Sequence, residues 1–293
     1  MKIEALSYTF IEADGVKLHV ATGGNGMPLV LLHGFPETHL AWRYVAPELT
    51  KKYKVVCPDL RGYGLSDKPK GDEKHTAYSK RTMAKDIYEL MKKLGHEKFA
   101  IVGHDRGGLV GFRLALDYPE AVTHLLILDV IPTVNMWESL QGIFGVFGYH
   151  QFFLAQPFNF PEKILQASTK TFLDHTLNSW CKNPSALPAD IRSEYLTALS
   201  NPESIHAICE DYRAGAFVDG GHDAEDRTAG KKINIPVSIL WQDPKGMELP
   251  FDPLKTWQFW APHATGKPIN GGHLLPEEKP NEVIEAVSNL LEL

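Results

Sequence analysis

The chain is poor in cysteine, in long apolar runs and in excess charge of either sign. Only three cysteines, Cys57, Cys181 and Cys209, occur in 293 residues, far apart and with no C-x-x-C pair. That excludes a disulfide framework and suits reduced, mostly buried thiols. No apolar run is long enough to span a membrane, and the opening MKIEALSYTF lacks the apolar core of a secretory signal. No basic stripe appears, and 30 basic against 36 acidic side chains leave a net charge of −6, so nucleic acid is not expected as a partner. Internal repeats and low-complexity tracts are absent too. The expectation is a cytoplasmic globular protein without a membrane or nucleic-acid partner.

What is present is a rhythm of short apolar strands and amphipathic helices. A chain of this length buries roughly 75% of its unfolded surface, so its core needs no metal or disulfide staple. Residues 8–11 and 16–20 alternate around Asp14-Gly15 and predict an antiparallel hairpin. Residues 28–32 form a continuous apolar run, as a strand buried on both faces of a parallel sheet requires. Strands are predicted at 54–57, 99–102 and 125–128, with helices at 79–94 and 107–117 between them. This βαβ alternation implies a mostly parallel sheet with right-handed crossovers. After Asp129 the rhythm breaks, and residues 132–228 read as aromatic and helical with no convincing strand. Strand character returns at 236–241, and a helix is expected at 281–293. The economical organisation is one α/β core, residues 1–131 and 229–293, with a helical cap inserted at 132–228.

The chemistry centres on Gly103-His-Asp-Arg-Gly107. A strand, a tight turn with small flanking residues and a helix make a nucleophile elbow, G-x-Nu-x-G. The nucleophile position holds Asp105, a carboxylate instead of a serine. An attacking carboxylate forms an ester with an sp³ carbon, and water must then hydrolyse it. Alkyl halides and epoxides are suitable electrophiles. The plainer alternative is that Asp105 only caps the following helix.

Three companions shift the balance. His273, in Asn270-Gly-Gly-His, follows the nucleophile in hydrolase chain order and is placed to activate water. His33-Gly-Phe-Pro36 ends the third strand, where the amide of Phe35, with that of Arg106, would form an oxyanion hole. An acid must orient the histidine, and two are available, Asp129 after strand 125–128 and Asp243 after strand 236–241. Asp243 is two residues early for the usual acid register, where Lys245 stands, which favours Asp129.

These residues, with DLRGYGLSDKP at 59–69, LDVIPT at 128–133, Gln156-Pro157 and DYRAG at 211–215, resemble the α/β-hydrolase superfamily. Within it they resemble the haloacetate (fluoroacetate) dehalogenases, along nearly the whole chain. The resemblance implies an α/β-hydrolase fold, a mostly parallel eight-stranded sheet flanked by helices, with an inserted helical cap. It implies Asp105 as nucleophile, His273 as base, Asp129 as its partner and Arg106 as one of two arginines gripping a substrate carboxylate. His150 and Tyr212 match two of three halide-binding positions. Gln151 stands where that family has tryptophan, and Leu109 where it has the second arginine. The implied reaction takes a short 2-haloacid to the 2-hydroxyacid and halide, with a small-molecule substrate and neither cofactor nor metal. Carbon–fluorine cleavage, which needs the most halide stabilisation, is the least expected activity.

Epoxide hydrolases share HGxP, the aspartate nucleophile and a cap, and they look for two cap tyrosines. Tyr212 matches one, and His150 stands at the other. Haloalkane dehalogenases fit less well, because Arg106 and Phe35 replace their tryptophan and asparagine. A receptor on the same fold would have no need of nucleophile, base and acid together. The aromatic cap also offers a surface for a homodimer.

Overall fold

The computed structural model describes residues 1–292. Its strands are β1 (Ser7–Ala13), β2 (Val16–Gly23), β3 (Pro28–Leu32), β4 (Lys54–Pro58), β5 (Phe99–His104), β6 (Val122–Leu128), β7 (Val237–Gln242) and β8 (Thr265–Ile269). They form one eight-stranded sheet in the order β1-β2-β4-β3-β5-β6-β7-β8. β1 pairs antiparallel with β2, and β2 with β4. The pairs from β4 through β3, β5, β6 and β7 to β8 are all parallel. All six residues of β5 are buried, which is why its sequence shows no polar alternation.

Helices α1 (Ala46–Leu49), α2 (Lys80–Lys93), α3 (Arg106–Asp117), α11 (Pro253–Trp260), α12 (Leu275–Glu278) and α13 (Pro280–Leu291) accompany the sheet. Ser79 caps α2 by accepting the Thr82 amide, so the predicted helix 79–94 includes its two cap residues. Between β6 and β7 lie α4 (Thr133–Ser139), α5 (Gly142–Phe147), α6 (Tyr149–Leu154), α7 (Phe160–Trp180), α8 (Ala189–Leu199), α9 (Pro202–Ala214) and α10 (Gly220–Thr228). A π-helical turn, Gly215–Asp219, joins α9 to α10.

Four core elements escaped the sequence reading: the one-turn helices α1 and α12, the strand β8 and the helix α11. β8 reads Thr-Gly-Lys-Pro-Ile, and glycine and proline both argue against a strand; as the sheet's edge, it leaves one side of its backbone unpaired, where a proline is tolerated. α11 begins with Asp252 accepting the Lys255 amide and Pro253 in its first turn, a start signal that was legible. Trp257 and Trp260 of α11 each pack edge-on to Phe112 of α3, with ring centroids 5.1 Å apart. The closing helix ends at Leu291, and the predicted extension to Leu293 lies partly outside the described residues.

Strand register positions the site. His104 pairs with Leu128 and Leu128 with Leu240, so β5 and β6 end level and β7 runs two residues further, to Gln242. Asp105, Asp129 and Gln242 thereby emerge side by side at the end of the sheet where ligands of open α/β folds bind. The helical segment is tied to the core by Arg113 of α3, which is 2% exposed and bonds Asp223 (2.5 Å) and Asp226 of α10. Removing one partner of a buried ion pair strands the others. Arg113→Met is expected to cost about 3–5 kcal/mol, read as a lower urea midpoint. A loss below about 1 kcal/mol, the scale of a surface pair, would contradict the buried linkage.

Candidate active site

Asp105 sits at φ 48°, ψ −116°, between β5 and α3. Such a backbone is unfavourable for a residue with a Cβ and is found at functional turns. Close packing enforces it. A Cβ on Gly103 would lie 2.4 Å from the Gly107 carbonyl oxygen, and one on Gly107 would lie 2.2 Å from that of Leu32. Asp105 makes no side-chain capping bond to α3, which rules out the simple cap reading. Its Oδ1 instead accepts the Phe35 amide at 2.9 Å.

His273 stands on the loop after β8. Its Nδ1 donates to Asp129 Oδ2 at 2.7 Å, and its Nε2 has no hydrogen-bond partner and lies 3.7 Å from Asp105 Oδ2. Asp129, itself at φ 50°, is held by the Gln242 backbone amide (2.7 Å) and side-chain amide (3.2 Å). With Nδ1 donating, Nε2 presents a lone pair toward the nucleophile. Asp243, the rival acid, accepts the Lys245 amide at 2.9 Å and closes its own turn. Gln242 was not foreseen, because half of its grip on Asp129 is backbone and has no sequence signature.

Charges around Asp105 keep it ionised. Burial pushes its pKa up, but His273, Arg106, His104 and the Phe35 amide together hold it below the usual carboxylate range. His104, fully buried behind the elbow, faces acceptors on both sides: Glu37 Oε2 on Nδ1 and the His273 carbonyl on Nε2, each at 2.8 Å. Burial opposes its charge, yet Glu37 carries its pKa up to about 9.

Arg106 is 1% exposed. Its guanidinium carbon lies 3.7 Å from the Tyr212 ring centroid, over the ring face. One terminal nitrogen donates to Gln151 Oε1 at 3.1 Å, and Nε has no partner. A guanidinium can only donate, so the Gln151 carbonyl must face it and the amide NH₂ must face His150 Nε2, 3.2 Å away. His150 Nε2 is then an acceptor, which leaves the proton on Nδ1, a buried atom with no partner. Burial and the Arg106 charge lower the His150 pKa to about 3, so its ring is neutral at ordinary pH. Burial raises the Tyr212 pKa, which keeps its hydroxyl protonated.

Every predicted site residue is thus within one cluster: Phe35, Asp105, Arg106, Asp129, His150, Gln151, Tyr212 and His273. Trp180, at the end of α7, was missed. Its ring centroid is 4.9 Å from both His150 and His273, and its carbonyl accepts the His273 amide at 2.8 Å. One tryptophan in an aromatic-rich segment carried no distinguishing signal. Leu109 is buried and apolar where a second arginine was sought, and Arg113 is committed to its α10 partners. Among the described residues the only metal-like grouping is His19, His39 and Asp59. Asp59 there already accepts both Nδ1 atoms (2.8 Å) and the amides of His39 and Leu65, so its lone pairs are taken by protein donors.

A sequence model of the alpha/beta hydrolase fold matches residues 27–280. The fluoroacetate dehalogenase of Burkholderia sp is 36% identical over 289 residues, covering 98% of this chain and 94% of that protein. The soluble epoxide hydrolase of Corynebacterium sp. (strain C12) is also 36% identical, over 276 residues, covering 93% and 92%. The solved structure of epoxide hydrolase CorEH superposes with a TM-score of 0.89 at 32% identity, covering 98% of this chain and 99% of that one.

Two expectations follow from the geometry. Asp129→Asn should lower kcat by about 10²–10⁴, because an amide cannot hold the same imidazole tautomer. Asp243→Asn should leave kcat/KM within about twofold, since it touches none of these groups; equal losses would return Asp243 as the orienting acid. The second concerns His104. A pKa raised above the free value stabilises the fold fully below about pH 6.5, and that contribution is lost as pH rises through about 9. The urea midpoint should therefore fall over that range, and His104→Gln should remove part of the fall. Parallel pH profiles would mean that His104 is neutral.

Proposed function

We propose that this chain, which belongs to the alpha/beta hydrolase family, hydrolyses an electrophilic sp³ carbon through an ester on Asp105, with a short 2-haloacid as substrate. The observation that carries the reading is the buried Arg106 guanidinium beside the nucleophile, with its Nε unpartnered. Arg106 Nε makes no hydrogen bond and stands 4.0 Å from Asp211 Oδ2, which leaves a donor for an anionic ligand, and a substrate carboxylate on it would orient the adjacent carbon for in-line attack.

An Asp105 carboxylate oxygen attacks the α-carbon, the carbon–halogen bond breaks, and halide leaves with the electron pair. The His150 Nδ1–H and the Tyr212 hydroxyl are the neutral donors available to it. His273 Nε2 then takes a proton from water, and the hydroxide adds to the Asp105 ester carbonyl. The Phe35 amide, already on Oδ1, and the Arg106 amide receive the oxyanion. Collapse breaks the ester bond, the imidazolium protonates the departing 2-hydroxyacid oxygen, and the Asp105 carboxyl releases the water's remaining proton to solvent to return to the carboxylate. Asp129 steadies the imidazolium throughout.

A second reading, epoxide opening by the same nucleophile, draws support from Gln151 and Leu109. Gln151 already occupies one Arg106 donor, and Leu109 supplies no second cation. Tyr212 would then protonate the ring oxygen.

Halide release from fluoro-, chloro- and bromoacetate separates the two. Chloro- and bromoacetate are expected to turn over ahead of fluoroacetate, and Asp105→Asn should abolish all release. His273→Asn should accumulate a carboxymethyl ester on the peptide holding Asp105. Activity that survives Asp105→Asn would refute the covalent route. No halide from any of the three, together with turnover of an epoxide, would replace the first reading by the second.

A further inference from the structure

Lys80 is the first residue of α2 and is only 3% exposed. A cation there opposes the helix dipole, which favours acids in the first turn, and lysine is almost never this buried unless it is paired. Its ammonium bonds Asp211 Oδ1 and lies 3.6 Å from Asp219 Oδ2, while its backbone amide donates to Asp219 Oδ1 at 2.8 Å. Asp211, from α9, is fully buried. Its Oδ2 accepts the Tyr63 hydroxyl at 2.7 Å and stands 4.0 Å from Arg106 Nε, beyond hydrogen-bonding distance. A buried carboxylate and a buried guanidinium this close would ordinarily close on one another. Here the hydrogen bonds to Asp211 come from Lys80 and Tyr63, and none comes from Arg106.

We propose that Lys80 is a positioning residue for substrate charge: by holding Asp211, it keeps Arg106 free to take an anionic substrate. This rests on the haloacid reading above. Without the Lys80 charge, the Asp211 carboxylate, already 4.0 Å from Arg106 Nε, is shared with no other cation, pairs more strongly with Arg106 and repels an incoming carboxylate. A neutral substrate of the same shape would not register the change. The cluster therefore sets selectivity between anionic and neutral electrophiles without touching either.

The test uses the full-length His273→Asn protein, in which the ester on Asp105 persists. Ester formation is followed by peptide mass against the concentration of chloroacetate or of its neutral isostere, chloroacetamide. Adding Lys80→Met is expected to raise the half-saturating chloroacetate concentration by about tenfold, the scale of one charge removed at short range in a protein interior. Chloroacetamide should change by less than about twofold. Lys80→Arg should restore chloroacetate binding, and so should adding Asp211→Asn to Lys80→Met. If Lys80→Met does not fold, Asp211→Asn alone leaves Lys80 beside Asp219 and should lower the half-saturating chloroacetate concentration with chloroacetamide unchanged.

Equal changes for both probes would mean that Lys80 only braces the fold, and an unchanged chloroacetate response would also overturn the proposal. If the His273→Asn parent itself is alkylated by chloroacetamide but not by chloroacetate, the haloacid reading fails first and this inference falls with it.

Discussion

The turn at Asp105 is the constraint on which the rest depends. Holding a side-chain-bearing residue at φ 48° costs about 1–3 kcal/mol. The buried strand before it and the contacts of Gly103 and Gly107 with neighbouring backbone over-determine the conformation. The strain aims one carboxylate oxygen at the Phe35 amide and the other toward His273. A relaxed helix start would have spent that carboxylate on capping. Parallel register then does the remaining work, because Asp129 sits at the equivalent height on the next strand and needs only Gln242 to fix its angle.

Around this turn the electrostatics form two linked sets. Behind the nucleophile, Glu37 and His104 connect the loop after β3 with the loop carrying His273, since Glu37 also accepts the Gly34 amide at 3.1 Å. In front of it, the order Arg106, Gln151, His150 is dictated by donor and acceptor chemistry. The arginine fixes the amide, and the amide fixes the imidazole tautomer. Gln151 thus links Arg106 to His150. It occupies one arginine donor and leaves His150 with a proton pointing to no protein group. The same buried surroundings that keep Tyr212 a phenol keep His150 neutral, so Arg106 is the one permanent cation among neutral donors.

Relatives named for carbon–fluorine and for epoxide chemistry stand at equal identity to this chain, and physics explains why both are near. Displacement at an sp³ carbon by a carboxylate, followed by ester hydrolysis, needs the same nucleophile, base and oxyanion donors whichever group departs. The difference lies in what meets the leaving group and what grips the far end of the substrate. In the proposed reaction those tasks fall to a few helical-segment side chains and to Arg106, which is why overall identity does not decide between the chemistries.

Most of the scaffold was legible in the sequence because its signals are local. Strand-like runs, the G-x-D-x-G turn and the helical stretch after β6 each arise from neighbours in the chain. The edge strand β8 was hidden because its stability comes from pairing with β7, which its own Gly-Lys-Pro composition does not advertise. Residue types and chain order also determined the catalytic candidates and the preference for Asp129 over Asp243. Only the tertiary structure decided which atoms face one another: the grip of Gln242 on Asp129, the edge of Trp180 against His150 and His273, the tautomer of His150, and the restraint of Asp211 by Lys80. Each of these joins residues far apart in the chain through directional contacts of a few ångströms. A pattern read along one dimension records which groups are present; the direction of a lone pair is set only when distant backbones are packed together.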